Sequence, residues 1–144
     1  MRLFKNRISQ ASPKWSFLSW YDIILDNQLY LSRFNIIQTP WFGIKIHWIL
    51  RPDPDRSIHT HPWRFISFVL KGGYSEYYSK RPDKSNIILS KRINWFNYHN
   101  IKSAHQIYSV SPKTLTLVFT GKRVESWGFY KDGKFIDWKY YHDK

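Results

Sequence analysis

Turn-forming residues that recur at short intervals limit the fold of this chain more than any other feature of its sequence. They separate short runs of β-branched and aromatic residues, which is the pattern of β-strands joined by hairpins and loops. We predict about nine short strands and therefore an all-β domain, either a sandwich or a jelly-roll β-barrel. The predicted strands are 30–37, 42–50, 64–70, 74–79, 87–90, 105–110, 114–120, 126–130 and 135–140.

The segment 16–25 has a different pattern. Its apolar residues follow helical spacing, and Ser16 could cap a helix there. The residues with this spacing are Phe17, Trp20, Tyr21 and Ile24. We predict a short N-terminal helix in an extension 1–28, followed by a β-barrel 29–141, within a single domain of 144 residues.

The basic charge of the chain bears on its partners. Lys and Arg number 23 against 10 Asp and Glu, a formal net charge of +13. This excess favours an anionic partner, which could be a small substrate, a nucleotide or nucleic acid. Alternatively it is a solvated basic surface, because the cations are scattered and the abundance of Lys, Asn, Ile, Tyr and Phe is typical of AT-rich coding sequence.

Cysteine is absent, which excludes a disulfide framework and a thiolate metal site. No apolar run reaches transmembrane length, and none follows the basic first residues as in a signal peptide. We predict a cytoplasmic protein without membrane contact, in which any metal is held by histidine, carboxylate or water.

His59 and His61 are the first candidates for chemistry. Residues two apart on a strand point to the same side, so both imidazoles can face one point inside a barrel. They follow a proline-containing loop and precede an apolar strand that ends at Gly72-Gly73, predicted to be a tight hairpin turn. A pair of this kind can equally be a surface or hydrogen-bonded pair, but with a third ligand it would leave open metal positions for water, oxygen or substrate.

The segment 59–74 resembles the first motif of the cupin superfamily, with two metal-ligating histidines, an apolar strand and a glycine turn. The segment 100–109 is similar to the second cupin motif, in which His105 holds the place of the third histidine. The span 30–140 resembles small, mostly uncharacterised cupins of bacteria and tailed phages, whose closing motif is matched by 120–121 and 127–129. This resemblance implies an RmlC-like jelly roll.

The resemblance also implies a divalent metal ion on His59, His61 and His105, with Fe(II) favoured and Zn, Ni or Mn as alternatives. Two departures from the family pattern narrow the site. Arg64-Phe65-Ile66 stands where cupins usually carry a glutamate ligand, and Asn100-Ile101-Lys102 replaces the Pro-x-Gly of the second motif. The resemblance therefore points to a three-histidine site like that of the thiol dioxygenases.

Glu76 and His47 are candidate catalytic residues. Glu76 alternates with Tyr74 and Tyr78, so it could face inward as a ligand or as a base behind the ligands, or lie at the rim as an ion-paired carboxylate. His47 shares a strand face with Lys45, which makes it an acid/base candidate if that face lines the barrel and a solvated histidine otherwise.

The remaining histidines have weaker patterns. We predict that His99 lies at a surface turn and that His142, near the C-terminus, has no role.

Five residues are candidates for binding substrate. Trp63 would either pack the barrel mouth or stack against a planar substrate, with Arg64 beside it. Arg123, near Trp127, would either bind a carboxylate or phosphate or be ordinary surface charge. Tyr74 completes the set.

Three functions remain open from the sequence. The first is a cupin metalloenzyme of dioxygenase or hydroxylase type that acts on a small, anionic substrate. The second is an isomerase similar to the sugar-nucleotide epimerases of the same barrel, with histidines as acid/base groups. The third is a non-catalytic cupin of phage or bacterial origin that binds nucleic acid or a partner protein. A homodimer is expected because cupins often pair through their sheets.

Overall fold

The computed structural model describes residues 2–5, 15–25, 27–53, 57–124 and 126–140, with 2–5 and 25 described by backbone alone. The described chain forms thirteen strands and one short 3-10 helix. The strands are β1 (Arg2–Lys5), β2 (Ser16–Leu25), β3 (Gln28–Gln38), β4 (Gly43–Ile49), β5 (Ile58–His59), β6 (Phe65–Lys71), β7 (Tyr74–Ser79), β8 (Leu89–Ile93), β9 (Phe96–His99), β10 (Ala104–Val110), β11 (Thr114–Thr120), β12 (Gly128–Lys131) and β13 (Lys134–Asp137), and the helix is Trp138–Tyr140.

The strands form two sheets. One has seven strands in the order β1-β2-β3-β4-β11-β6-β9, and the other has six in the order β13-β12-β5-β10-β7-β8. Apart from the parallel pair β1–β2, the described pairings are antiparallel, and many join strands that are distant in sequence. This is the connectivity of a jelly roll, so the all-β prediction is confirmed.

The predicted N-terminal helix is wrong. The segment is strand β2, paired with β3 along its length from the Ser16–Gln38 pair to the Leu25–Gln28 pair. Its aromatic and β-branched residues suit a strand, and the hairpin buries Ile23 against the core. Backbone pairing with β3 thus outweighed a spacing of apolar residues that fits either element.

The turn at Gly72-Gly73 joins the two sheets rather than two paired strands. Strand β6 is already flanked by β11 and β9, so the chain crosses to the other sheet, where β7 pairs with β10 and β8. The predicted 64–70/74–79 hairpin is therefore wrong. Gly72 adopts φ 76° and packs so closely that a Cβ would lie 2.9 Å from the Cα of Thr114, which makes glycine necessary there.

The main hydrophobic cluster holds the sheets together at their inner faces. Its members come from both sheets, and each fully buried side chain contributes about 1.5–3 kcal/mol. They are Ile23, Tyr30, Leu31, Ile49, Tyr74, Ile93 and Ile107. The interior also contains polar side chains, among which Lys45 and Glu76 are the largest that are fully buried. Among the helices that the structure describes, none has the length and apolar character needed to cross a membrane.

Candidate metal centre and its cavity

Three imidazoles converge on one wall of the interior. His59 on β5 is the cross-strand partner of His105 on β10, and His61 follows His59 by two residues. The Nε2 atoms of His61 and His105 are 3.0 Å apart, and the His59 ring centroid lies 4.9 Å from that of His105. The three candidate ligand nitrogens all lie within 4.8 Å of one another.

This donor set fits a divalent ion. Two imidazole nitrogens bound at right angles to one ion, at about 2.1 Å each, lie about 3 Å apart, which is the His61–His105 spacing. His59 Nδ1 is buried without a hydrogen-bond partner among the described residues. Burial lowers the pKa of His59 to about 4 and that of His61 well below its ordinary value, so both rings are neutral, as metal binding requires.

Glu76 lies behind His105 and is fully buried on β7. Its Oε1 accepts a hydrogen bond from His105 Nδ1 at 2.7 Å and another from Asn97 Nδ2 at 3.0 Å. Because the carboxylate can only accept, His105 Nδ1 carries a proton, and in the neutral form of the ring the Nε2 lone pair is directed toward His61. Carboxylates behind metal-binding histidines commonly fix the tautomer in this way.

The charges of this pair stabilise each other. Burial alone would raise the pKa of Glu76, but His105 and His99 outweigh it and hold that pKa well below its usual range. Burial alone would lower the pKa of His105, but Glu76 outweighs it and raises that pKa.

Glu76, His99 and His105 form a second group close enough to hold an ion. Glu76 Oε2 accepts a hydrogen bond from His99 Nε2 at 2.9 Å, and His99 Nδ1 is bonded to Ser103. Neither Glu76 nor His99 lines the cavity, so an ion between them would be out of a substrate's reach. We therefore interpret this group as the support of His105.

The surface position predicted for His99 is wrong. The side chain is 4% exposed on β9, where Asn97 and His99 face the interior and Phe96 and Tyr98 face out. The pairing of β9 with β6 orients it this way. The alternation of polar and aromatic residues on β9 was the available sequence signal for an inward-facing His99. The same alternation is typical of strands whose polar face is exposed to solvent.

The histidines open onto a cavity of about 140 Å³ between the two sheets. Its lining combines apolar side chains with cationic ones. Asp53 also lines it, and its carboxylate accepts hydrogen bonds from the Tyr30 hydroxyl and, at 2.8 Å, from the Ile107 backbone amide. These bonds fix the position of the Asp53 side chain in the cavity wall.

Known proteins identify the fold. No family model and no curated protein matches the sequence. A solved structure of Fe(II)-HppE with the alternative substrate (S)-1-HPP matches with a TM-score of 0.51 and 14% identity, over 80% of this chain and 60% of that one. The DMSP lyase DddQ from Ruegeria pomeroyi DSS-3 matches with a TM-score of 0.51 and 12% identity, over 67% and 49%.

Both neighbours are cupins. The chain has the cupin fold. It spans between half and three fifths of the length of these two solved chains.

Most of the candidate catalytic and substrate-binding residues line the cavity. They are Trp63, Tyr74, Trp127, His47 and Arg123. His47 Nε2 accepts a hydrogen bond from Arg33 Nε at 3.0 Å, and burial followed by the charge of Arg33 lowers its pKa well below the ordinary value. Burial raises the pKa of Tyr74 to about 12, so its hydroxyl keeps its proton.

The position of Arg64 differs from the one expected of a substrate-binding residue. It is exposed, does not line the cavity, and packs over Gly121 at the surface. The reason is the alternation of the strand, since the neighbouring Phe65 takes the inward position.

Two basic residues that line the cavity, Arg33 and Lys45, were not candidates in the sequence. Along their strands, basic residues and apolar residues point to opposite faces. Such a pattern ordinarily places the basic residues in solvent. The pairing of β3 with β4 in the middle of the seven-stranded sheet places them inside instead.

Proposed function

We propose that this cupin is a metalloenzyme that binds a divalent ion, Fe(II) in first place and Zn, Ni or Mn as alternatives, on His59, His61 and His105. It performs an oxidative reaction of dioxygenase or hydroxylase type on a small, anionic substrate in the cavity. The observation that carries the proposal is the convergence of three imidazoles on the cavity wall, with a buried carboxylate behind one of them. The Fe(II) named for the HppE neighbour supports the choice of ion.

The histidines leave the cavity side of the ion for substrate. A bound ion would supply Lewis-acid and one-electron redox chemistry at those positions. Glu76 holds His105 in the tautomer that presents Nε2, and Trp63 and Trp127 form part of the cavity wall. Tyr74 offers a hydroxyl that stays protonated, and so acts as a hydrogen-bond donor rather than as a base.

The metal content of untagged protein tests the proposal. We expect about one equivalent of ion per chain after anaerobic loading with Fe(II), and a loss of it in His59→Ala and His105→Ala. His142→Ala is the matched control, because the sequence assigns that histidine no role. Protein that takes up no Fe(II), or a His59→Ala variant that retains it in full, would refute the metal centre. Oxygen uptake with carboxylic acids as trial substrates tests the reaction type.

A second function is favoured by the Glu76–His105 pair itself. A histidine oriented by a buried carboxylate is also the arrangement of a general base, as expected for a sugar-nucleotide isomerase. Under anaerobic conditions with a chelator, such an enzyme would incorporate solvent deuterium into the sugar. Deuterium incorporation that survives metal removal would favour an isomerase whose histidines act as acid/base groups, and a complete absence of incorporation would count against it.

A further inference from the structure

Lys45 carries a buried amine that the proposed metal centre does not use. It lies on β4, is 1% exposed, and lines the cavity. Its Nζ has no hydrogen-bond partner among the described residues. An amine that is buried without a partner destabilises the fold, unless a ligand provides the missing partner.

The groups around Lys45 do not provide a counter-ion. Burial, and then the charge of Arg33, lowers its pKa well below the ordinary value. The Nζ lies 4.7 Å from the centroid of the Trp63 ring, a contact that offsets only part of the cost of burial. Asp53 is the single carboxylate among the described residues that line the cavity, and the Tyr30 hydroxyl and a backbone amide already occupy it.

Further polar atoms without partners lie beside Lys45. Thr120 lines the cavity, and its buried Oγ1 has no partner among the described residues. Lys45 pairs with Val118 across β4 and β11, so Thr120 is the next residue along β11 that faces the same side. Asn35 is the partner of Lys45 on β3, and both of its amide atoms are buried without partners. Buried polar groups in native proteins are usually satisfied, so this cluster points to a ligand.

The cluster and the metal centre lie on different sheets. Lys45 and Thr120 belong to the seven-stranded sheet, whereas His59 and His105 belong to the six-stranded sheet, and all four line the cavity. Apolar side chains such as Leu31 make up much of the remaining lining. The cavity thus offers a polar donor pair on one sheet, a candidate metal on the other, and an apolar surface beside them.

We propose that Lys45 and Thr120 form a carboxylate subsite that holds one end of the substrate. The ammonium group of Lys45 donates to one carboxylate oxygen and the Thr120 hydroxyl donates to the other. This proposal rests on the proposed function, because the subsite would direct the opposite end of the substrate toward the three histidines. A monoanionic carboxylate with an apolar body suits a small, largely apolar cavity better than a phosphate dianion, whose desolvation costs more.

Binding of butyrate to metal-free protein tests the subsite. We expect sodium butyrate to bind in a titration followed by nuclear magnetic resonance, and butyramide, its neutral counterpart, not to bind. The variant Lys45→Met keeps the length of the side chain without its charge and should weaken butyrate binding about ten-fold or more. Lys71→Met, at an exposed lysine, should bind as wild type does.

The stability of Lys45→Met gives an independent readout. Because the variant removes an unpaired buried amine, it should unfold at a urea concentration equal to or higher than that of wild type. Thr120→Val, which removes the second donor, should weaken butyrate binding by a smaller factor, and it serves as the test if Lys45→Met does not fold.

Three results would overturn the subsite. They are an absence of butyrate binding to wild type, equal binding by wild type and Lys45→Met, and tighter binding of inorganic phosphate than of butyrate. The metal proposal fails separately. If the protein binds butyrate through Lys45 but binds no Fe(II), the subsite is supported and the metal centre is refuted. If it binds Fe(II) but no butyrate, the metal centre alone is supported.

Discussion

Glu76 carries a negative charge in the protein interior because its neighbours compensate that charge. His105 and His99 each bond one of its oxygens, and Asn97 donates to it as well. Lys91, which is partly exposed, places its Nζ 3.6 Å from Oε2. A buried carboxylate with several donors is stable, but it becomes costly when a partner is lost. The residue therefore links the stability of the fold to the orientation of a candidate ligand.

The variant Glu76→Gln tests this role. The amide retains an acceptor for His105 but loses the charge, so the ring no longer has a strong preference for one tautomer. We expect the affinity for Fe(II) to fall about 10- to 100-fold, measured by competition with a chromophoric chelator. Asp83→Asn is the matched control, because it makes the same chemical change in an exposed ion pair with Arg81. An unchanged affinity in Glu76→Gln would show that His105 does not depend on the carboxylate.

At the scale of elements, the short strand β12 holds the segment between two candidate ligands. The Thr60 amide donates to the Gly128 carbonyl at 2.8 Å, and the Gly128 amide donates to the Thr60 hydroxyl at 3.0 Å. Thr60 separates His59 from His61, so this double contact fixes the spacing of the two imidazoles. A Cβ at Gly128 would meet the carbonyl oxygen of Ile136 on β13.

Gly128→Ala should therefore move β12 relative to its neighbours. A Cβ there would also lie 2.8 Å from Phe135 Cζ and 2.9 Å from Asp137 Cα, so backbone must shift. We expect the free energy of unfolding to fall by about 1–3 kcal/mol, measured with urea, together with a weaker affinity for Fe(II). In the control Gly121→Ala the new Cβ meets the flexible Arg64 side chain at 3.1 Å, and little should change. Equal effects of the two substitutions would contradict the role assigned to β12.

The strands show what can be predicted from sequence. Local alternation and turn residues predicted most of them, and motif resemblance singled out the histidines that the fold brings together. The direction in which a polar face points was not predictable, because it depends on which strands pair. On β4 and β9 the polar residues Lys45 and His99 face inward, the reverse of the usual rule. The partners of Glu76 were beyond prediction for the same reason.

At the scale of the whole molecule, the buried histidines make stability depend on pH. Burial lowers the pKa of His59 and of His99 to about 4, below the value of about 6.5 in an unfolded chain. A histidine whose pKa is lower in the folded protein than in the unfolded chain stabilises the fold at pH values above its pKa in the unfolded chain. That stability is lost as the pH falls toward its pKa in the folded protein. The raised pKa of His105 adds no further change below about pH 6.5, because both states are then protonated.

We expect the free energy of unfolding of metal-free protein to fall by at least about 2 kcal/mol between about pH 6.5 and pH 5. Urea unfolding at a series of pH values measures this. His59→Gln should reduce the slope, whereas His142→Gln should leave it as in wild type. A flat profile would mean that the interior histidines accept protons as readily as they do in the unfolded chain.

The connectivity of the two sheets also governs the order in which the protein folds. Strands β5, β7 and β10, which carry His59, Glu76 and His105, lie in the six-stranded sheet and pair across long stretches of chain, whereas β9, which carries His99, lies in the other sheet. Closing such loops costs entropy before the new contacts form, so we expect slow folding in which the candidate ligand nitrogens come together late. An ion that binds the three histidines would then meet a barrel that is already closed, and we expect it to slow unfolding rather than to accelerate folding.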